Sequence, residues 1–75
     1  MMTLYEALKL FRAENTDAFY IYSNKTNLFG NKIDFYRIKQ AVEYHEDAED
    51  IYIASYADKT VTNIDLRNDI ITIEE

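Results

Sequence analysis

The chain reads as a small α+β domain: a two-layer sandwich in the order α-β-α-β-β-β, with one mostly antiparallel sheet and two helices on one face. Two segments carry apolar residues at helical spacing, and four runs are rich in β-branched and aromatic residues, three of them in the last third of the chain. The length of 75 residues, 48% of them apolar, sets the ceiling at one domain spanning 1–75.

Thr3 followed by Glu6 has the spacing of a capping box, and Leu4, Ala7, Leu8 and Phe11 then recur at helical intervals, which predicts a first helix over 3–14. Asn15-Thr16-Asp17 supplies the stop, because asparagine tolerates the left-handed backbone of a helix end. Ala18 to Ser23 follows as a strand, apolar on both faces, which suits an inner position. Asn24 to Asn27 makes a turn, and Leu28-Phe29-Gly30 either pairs with that strand or anchors a loop. Asp34, or Asn31 with Asp34 behind it, caps a second helix in which Phe35, Ile38, Ala41, Val42 and His45 share a face, ending near His45 or Asp47. That helix bridges two strands, so a right-handed crossover is expected. Ile51 to Tyr56 is a β-rich run. Thr60 to Leu66 and Ile70 to Glu74 alternate around Arg67-Asn68-Asp69, and the three segments together predict a meander.

Surface scaling predicts roughly 4,800 Å² exposed, with about 63% of the unfolded chain's surface buried. The absence of cysteine excludes a disulfide framework, a thiolate nucleophile and a cysteine-bearing zinc site, so stability must come from packing or association. No apolar run is long enough to span a membrane, and the first residues, Met1 to Glu6, have neither the basic start nor the apolar stretch of a secretory signal. A cytoplasmic protein is the expectation. Isoleucine, asparagine, lysine, tyrosine and phenylalanine, all encoded by A/T-rich codons, are abundant, which points to a source genome low in G+C.

Charge is distributed unevenly. Up to Val42 four acids face six bases, a balance of +2; from Glu43 onward ten acids face Lys59 and Arg67, a balance of -8. Five of those acids fall between Glu43 and Asp50, where the second helix is expected to end. Carboxylates at a helix C-terminus cost roughly 0.3 to 1 kcal/mol each at low salt, so a role outside helix stability is implied. Spaced carboxylates can imitate phosphates, and tyrosine supplies rigid amphipathic contact area. Glu43, Tyr44, Glu46, Asp47, Glu49, Asp50, Tyr52 and Tyr56 are therefore the candidate partner-binding residues, and the expected partner is a protein with a basic, nucleic-acid-binding surface. The competing account is a solvated face that keeps a small protein soluble. Direct nucleic-acid binding is disfavoured by the net charge of -6.

No cofactor, metal or catalytic site is expected. His45 is the sole histidine, and with Glu49 it would share one face of a continued helix, but two further ligands are unspecified; a residue capping last-turn carbonyls is the simpler role. The Asp47 to Asp50 acids lack the spacing and central glycine of a calcium loop, Ser23 and Ser55 sit in no nucleophile turn, and one glycine makes no phosphate cradle. Phe11, Phe19, Phe29 and Phe35 read as core. Seven tyrosines exceed what one small core holds, so Tyr52 and Tyr56, with Tyr20 and Tyr22, are expected on the sheet face away from the helices.

In size, acidity and lack of an active-site motif the chain resembles, as a class, the small inhibitors that phages and other mobile elements direct at host nucleic-acid machinery, including anti-restriction and anti-CRISPR proteins. The resemblance is one of composition, covers no motif and carries over no residue. It implies a non-enzymatic protein acting by occupancy. The alternative is a self-associating structural or regulatory module, a homodimer joined through the tyrosine-lined sheet face or through the last strand, Ile70 to Ile73, with Glu74 and Glu75 as partial guards.

Overall fold

The computed structural model describes residues 1–12 and 17–75. Thr3 opens α1 (Leu4–Leu10) with the capping box its spacing predicts: the Glu6 N–H donates to the Thr3 hydroxyl at 3.1 Å and the Thr3 N–H to the Glu6 carboxylate at 2.8 Å. These bonds hold the Glu6 carboxyl below its ordinary pKa. The helix ends earlier than the expected 14: Phe11 is its C-cap, donating its N–H to Leu8 at 3.1 Å, while Asn15 and Thr16 of the expected stop lie outside the described residues.

β1 (Tyr20–Ser23) turns back through Asn24 and Lys25, both at positive φ (48° and 70°), into the two residues of β2 (Thr26–Asn27). A two-residue turn with both centres left-handed matches the right-handed twist of the strands. Leu28 still donates its N–H to Ile21 at 2.9 Å, but Phe29 leaves the sheet. Asp34 caps α2 (Phe35–Tyr44), its carboxylate accepting the Arg37 N–H at 2.8 Å. The bonds from the Phe19 N–H to Ile33 and from the Ile33 N–H to Phe19, each 2.9 Å, tie the entry of this helix to the entry of β1.

The Ile51–Tyr56 run is helical rather than extended. α3 (Ala48–Ala54) begins at Asp47, whose carboxylate accepts the Asp50 N–H at 2.8 Å, and Glu49 and Asp50 occupy its first turn. Capping and the favourable field of a helix N-terminus on those acids outweigh the β-preference of two isoleucines and two tyrosines. The element order therefore gains a helix where a strand was expected, and the inner position expected of the Ala18–Ser23 strand is the one β1 takes.

The expected three-strand meander is reduced to a hairpin of its last two segments, β3 (Thr60–Asp65) and β4 (Ile70–Glu74), with Asp69 at φ 57° and the Asp65 carboxylate accepting the Arg67 and Asn68 N–H groups at 3.0 and 3.2 Å. The sheet order is β2-β1-β4-β3; β1 and β4 run parallel and the two outer pairs antiparallel. The class is thus α+β, with a mostly antiparallel four-stranded sheet. Between Val61 and Asn63 the register slips, and the Thr62 hydroxyl donates to the Thr72 carbonyl at 3.3 Å.

One sheet face carries Ile21, Ile71 and Ile73, each at most 1% exposed, against Leu4, Ala7 and Leu8 of α1 and Phe35, Ile38 and Ala41 of α2. The other carries Tyr20, Tyr22, Ile70 and Thr72, all half-buried. Ser23, at the inner end of β1, is buried and donates to Glu75 at 2.8 Å. The exposed surface is 4,928 Å², close to the scaling expectation. Among the described residues no helix is long and apolar enough to cross a membrane.

Candidate functional site

The corner at which α2 gives way to α3 collects most of the candidate residues. α2 ends at Tyr44 because His45 takes φ 25° as its C-cap; its N–H donates to Ala41 at 3.0 Å and its ring Nδ1 lies 3.2 Å from the Val42 carbonyl oxygen. That break puts His45 outside any helix that could align it with Glu49. It also moves the acids. Asp47, Glu49 and Asp50 sit at the favourable N-terminal end of α3 rather than the unfavourable C-terminal end of α2, so only Glu43 and Glu46 bear the penalty read from the sequence.

Arg37 divides the acidic set further. Its Nη2 donates to Glu49 at 2.7 Å, and its Nη1 lies 2.8 Å from Asp50 Oδ1 in a second ion pair. Hydrogen bonding to Glu49 and the charge of Asp50 hold the guanidinium above its ordinary pKa. Asp50 is buried to 7% exposure, which is tolerable only beside that cation. Glu43 pairs with Lys39 one turn back. Glu46, Asp47 and Asp58 make no ion pair with a described residue.

The tyrosines separate in the same way. Tyr44 is 62% exposed. Tyr52 and Tyr56 are on or just beyond α3, not on the sheet face with Tyr20 and Tyr22, because their segment is helical. There they pack edge-on with each other at 5.3 Å and with Phe29 at 5.6 and 5.8 Å, and the Tyr52 hydroxyl donates to the Leu28 carbonyl at 3.0 Å. Their first task is to fasten the 28–30 loop to α3. The Tyr52 hydroxyl beside it, partial burial and the Glu75 carboxylate push the Tyr56 phenol up to about 12.

Two apolar residues of the corner are on the surface: Val42, although it was expected to share the face of Phe35 and Ile38, is 38% exposed, and Ile51 is 53% exposed. Together with His45, Ala54, Ser55, Ala57 and Asp58 they line an open groove of about 430 Å³. The signal that could have found it is Asp47-x-x-Asp50 read as a helix start, which puts Asp50 and Ile53 on the inward face and Ile51 off it. A second cleft, about 320 Å³, lies between the 28–33 loop and the helices, lined by Leu28, Lys32, Ile33, Arg37, Glu49 and Tyr52 among others. Its cations are already engaged, Arg37 as above and Lys32 with Asp69 at 3.0 Å.

No protein-family model matches the chain, and comparison with curated proteins and with solved structures finds no match.

Proposed function

We propose that the protein is a non-enzymatic interaction protein that binds and blocks a basic, nucleic-acid-handling surface of a partner through its α2–α3 corner, in the manner of the anti-defence inhibitors of phages and mobile elements. The observation that carries this reading is the juxtaposition of Val42, Tyr44 and Ile51, all exposed, with carboxylates that find no cation of their own, Glu46, Asp47 and Asp58. Interface cores combine apolar and aromatic anchors with a polar rim, and a carboxylate rim replaces the counterions of a Lys/Arg-rich surface while steering its approach.

The structure dictates which acids to reverse. Asp47 caps α3 and Asp50 is buried against Arg37, so their loss would confound binding with folding. Glu46→Lys with Asp58→Lys changes only exposed, unpaired charges. Tagged protein is exposed at low salt to lysate of a low-G+C bacterium, eluted with high salt, and the eluate identified by mass spectrometry. The expected result is a nucleic-acid-binding protein that competing DNA or RNA displaces and that the double variant holds on the order of tenfold more weakly. Unchanged affinity of the variant, or indifference to competing nucleic acid, sinks the reading.

The self-associating module has one observation in its favour, the pairing of Tyr20 and Tyr22 with Ile70 and Thr72 on the sheet face the helices leave. Light scattering decides it: a dimer that survives high salt supports that module, and a monomer at all salt concentrations removes it.

A further inference from the structure

We infer that the groove between the end of α2 and the outer side of α3 is a docking site for a cationic amphipathic helix of the partner, which seats an apolar side chain against Val42 and Ile51 while its lysines or arginines meet the surrounding carboxylates. This rests on the proposed inhibitor reading and names the element of the partner that the corner recognises.

The lining of the groove argues for both halves of that description. Val42, Ile51, Ala54 and Ala57 are apolar, and the groove's volume of about 430 Å³ accommodates side chains rather than a single atom or ion. No lysine or arginine lines it; its charged member is Asp58, and Glu46 follows His45 directly in the chain. Val42 and His45 belong to the last turn and C-cap of α2, and Ala54 and Ser55 to the last turn and C-cap of α3. The C-terminus of α2 carries a partial negative charge that favours a cation over an anion, whereas the last carbonyls of α3 are already taken by Ser55, Tyr56 and Ala57. The groove is lined by the two helices and the turn that follows α3, and no strand residue lines it. An extended peptide would find no ladder of donors and acceptors there, whereas a helix binding through apolar anchors needs none.

The test uses the full chain, labelled with ¹⁵N and titrated with a synthetic peptide of ~14 residues carrying leucine on one helical face and lysine on the other, long enough to hold a helix. Two companions have the same length, an oligolysine and the leucine peptide with glutamate in place of lysine. Saturable shifts of the Val42, His45, Ile51, Ala54 and Ala57 amides with the lysine-leucine peptide are expected, and Ile51→Ser and, independently, Val42→Ser should each weaken binding on the order of tenfold with the rest of the spectrum unmoved. Equal affinity for oligolysine, or indifference to both serine variants, overturns the groove and leaves the acidic-surface reading standing. Equal affinity for the glutamate peptide overturns the charge complementarity, and with it both readings. Shifts centred on Tyr20 and Tyr22 overturn the groove in favour of the sheet face. Failure of both cationic peptides to bind overturns the groove and the acidic surface together.

Discussion

α1 and α3 are the same length, seven residues, yet they are attached to the protein by different physics. α1 buries Leu4, Ala7 and Leu8 completely and is held by area removed from water. α3 buries Ile53 and the carboxylate of Asp50, leaves Ile51 and Tyr52 about half exposed, and is fastened by the Arg37 ion pairs and the edge-on rings of Phe29, Tyr52 and Tyr56. A helix packed by area has its inward residues dictated by the core. One fastened by charge leaves its outward residues free to answer to something else, and on α3 those include an isoleucine that the fold does not need.

The widest gap between the two should appear on truncation. Leu8→Ala is expected to cost about 3 to 4 kcal/mol in urea denaturation, a large part of the total for a domain this size, and Ile51→Ala less than about 0.5 kcal/mol. A comparable loss at Ile51 would show that α3 is part of the core after all. Next in size is Arg37→Met, which keeps the apolar stem and leaves Asp50 buried without its cation; about 2 kcal/mol is expected. Adding Asp50→Asn should recover part of that loss, and a double variant no better than the single one would contradict the charge-fastening account. The smallest effect is at Tyr56. Its folded pKa is raised from 10.0 to about 12, so the neutral phenol favours folding; that contribution is complete below pH 10 and fades as pH climbs toward 12. Absorbance titration should show a late phenol near pH 12 that is missing in Tyr56→Phe. A titration curve that Tyr56→Phe leaves unchanged at its high-pH end would mean that the ring cluster leaves Tyr56 no different from a free side chain.

The same contrast explains what could be read in the sequence. The features that could be read were local ones. Thr3 with Glu6, Asp34, the turn expected over Asn24 to Asn27 and the pairing of the last two strands all act within a few residues, and only the turn is tighter than expected, closing at Asn24-Lys25 with Thr26 and Asn27 already in β2. The Ile51–Tyr56 segment failed because two local signals conflict there: β-branched and aromatic side chains favour a strand, while Asp47 and the acids behind it favour a helix start. The acidic run was visible, but its division was not. That Glu49 and Asp50 find a cation, and that Asp50 turns inward, depends on Arg37, twelve residues before Glu49 and on another helix, and no spacing rule connects them. The groove was hidden for the same reason, since Val42 falls on the helical face that carries Ile38 and Ala41 yet lies at its rim.

The place of β4 in the sheet has a bearing on how the chain is made. Ile70–Glu74 is synthesised after β1, β2 and β3 and lies between β1 and β3. Until it has cleared the ribosome, Ile21 has no Ile71 beside it, β3 has no partner, and the apolar faces of α1 and α2 have only part of the sheet to cover them. At ~5 to 20 residues per second the fifty residues from Ile21 to Ile71 take roughly 3 to 10 seconds to add. Folding then waits on a contact between distant parts of the chain, with no stable half available beforehand. For several seconds every copy is a substrate for chaperones and proteases, and cellular yield depends on how quickly that interval closes as well as on the stability of the finished fold.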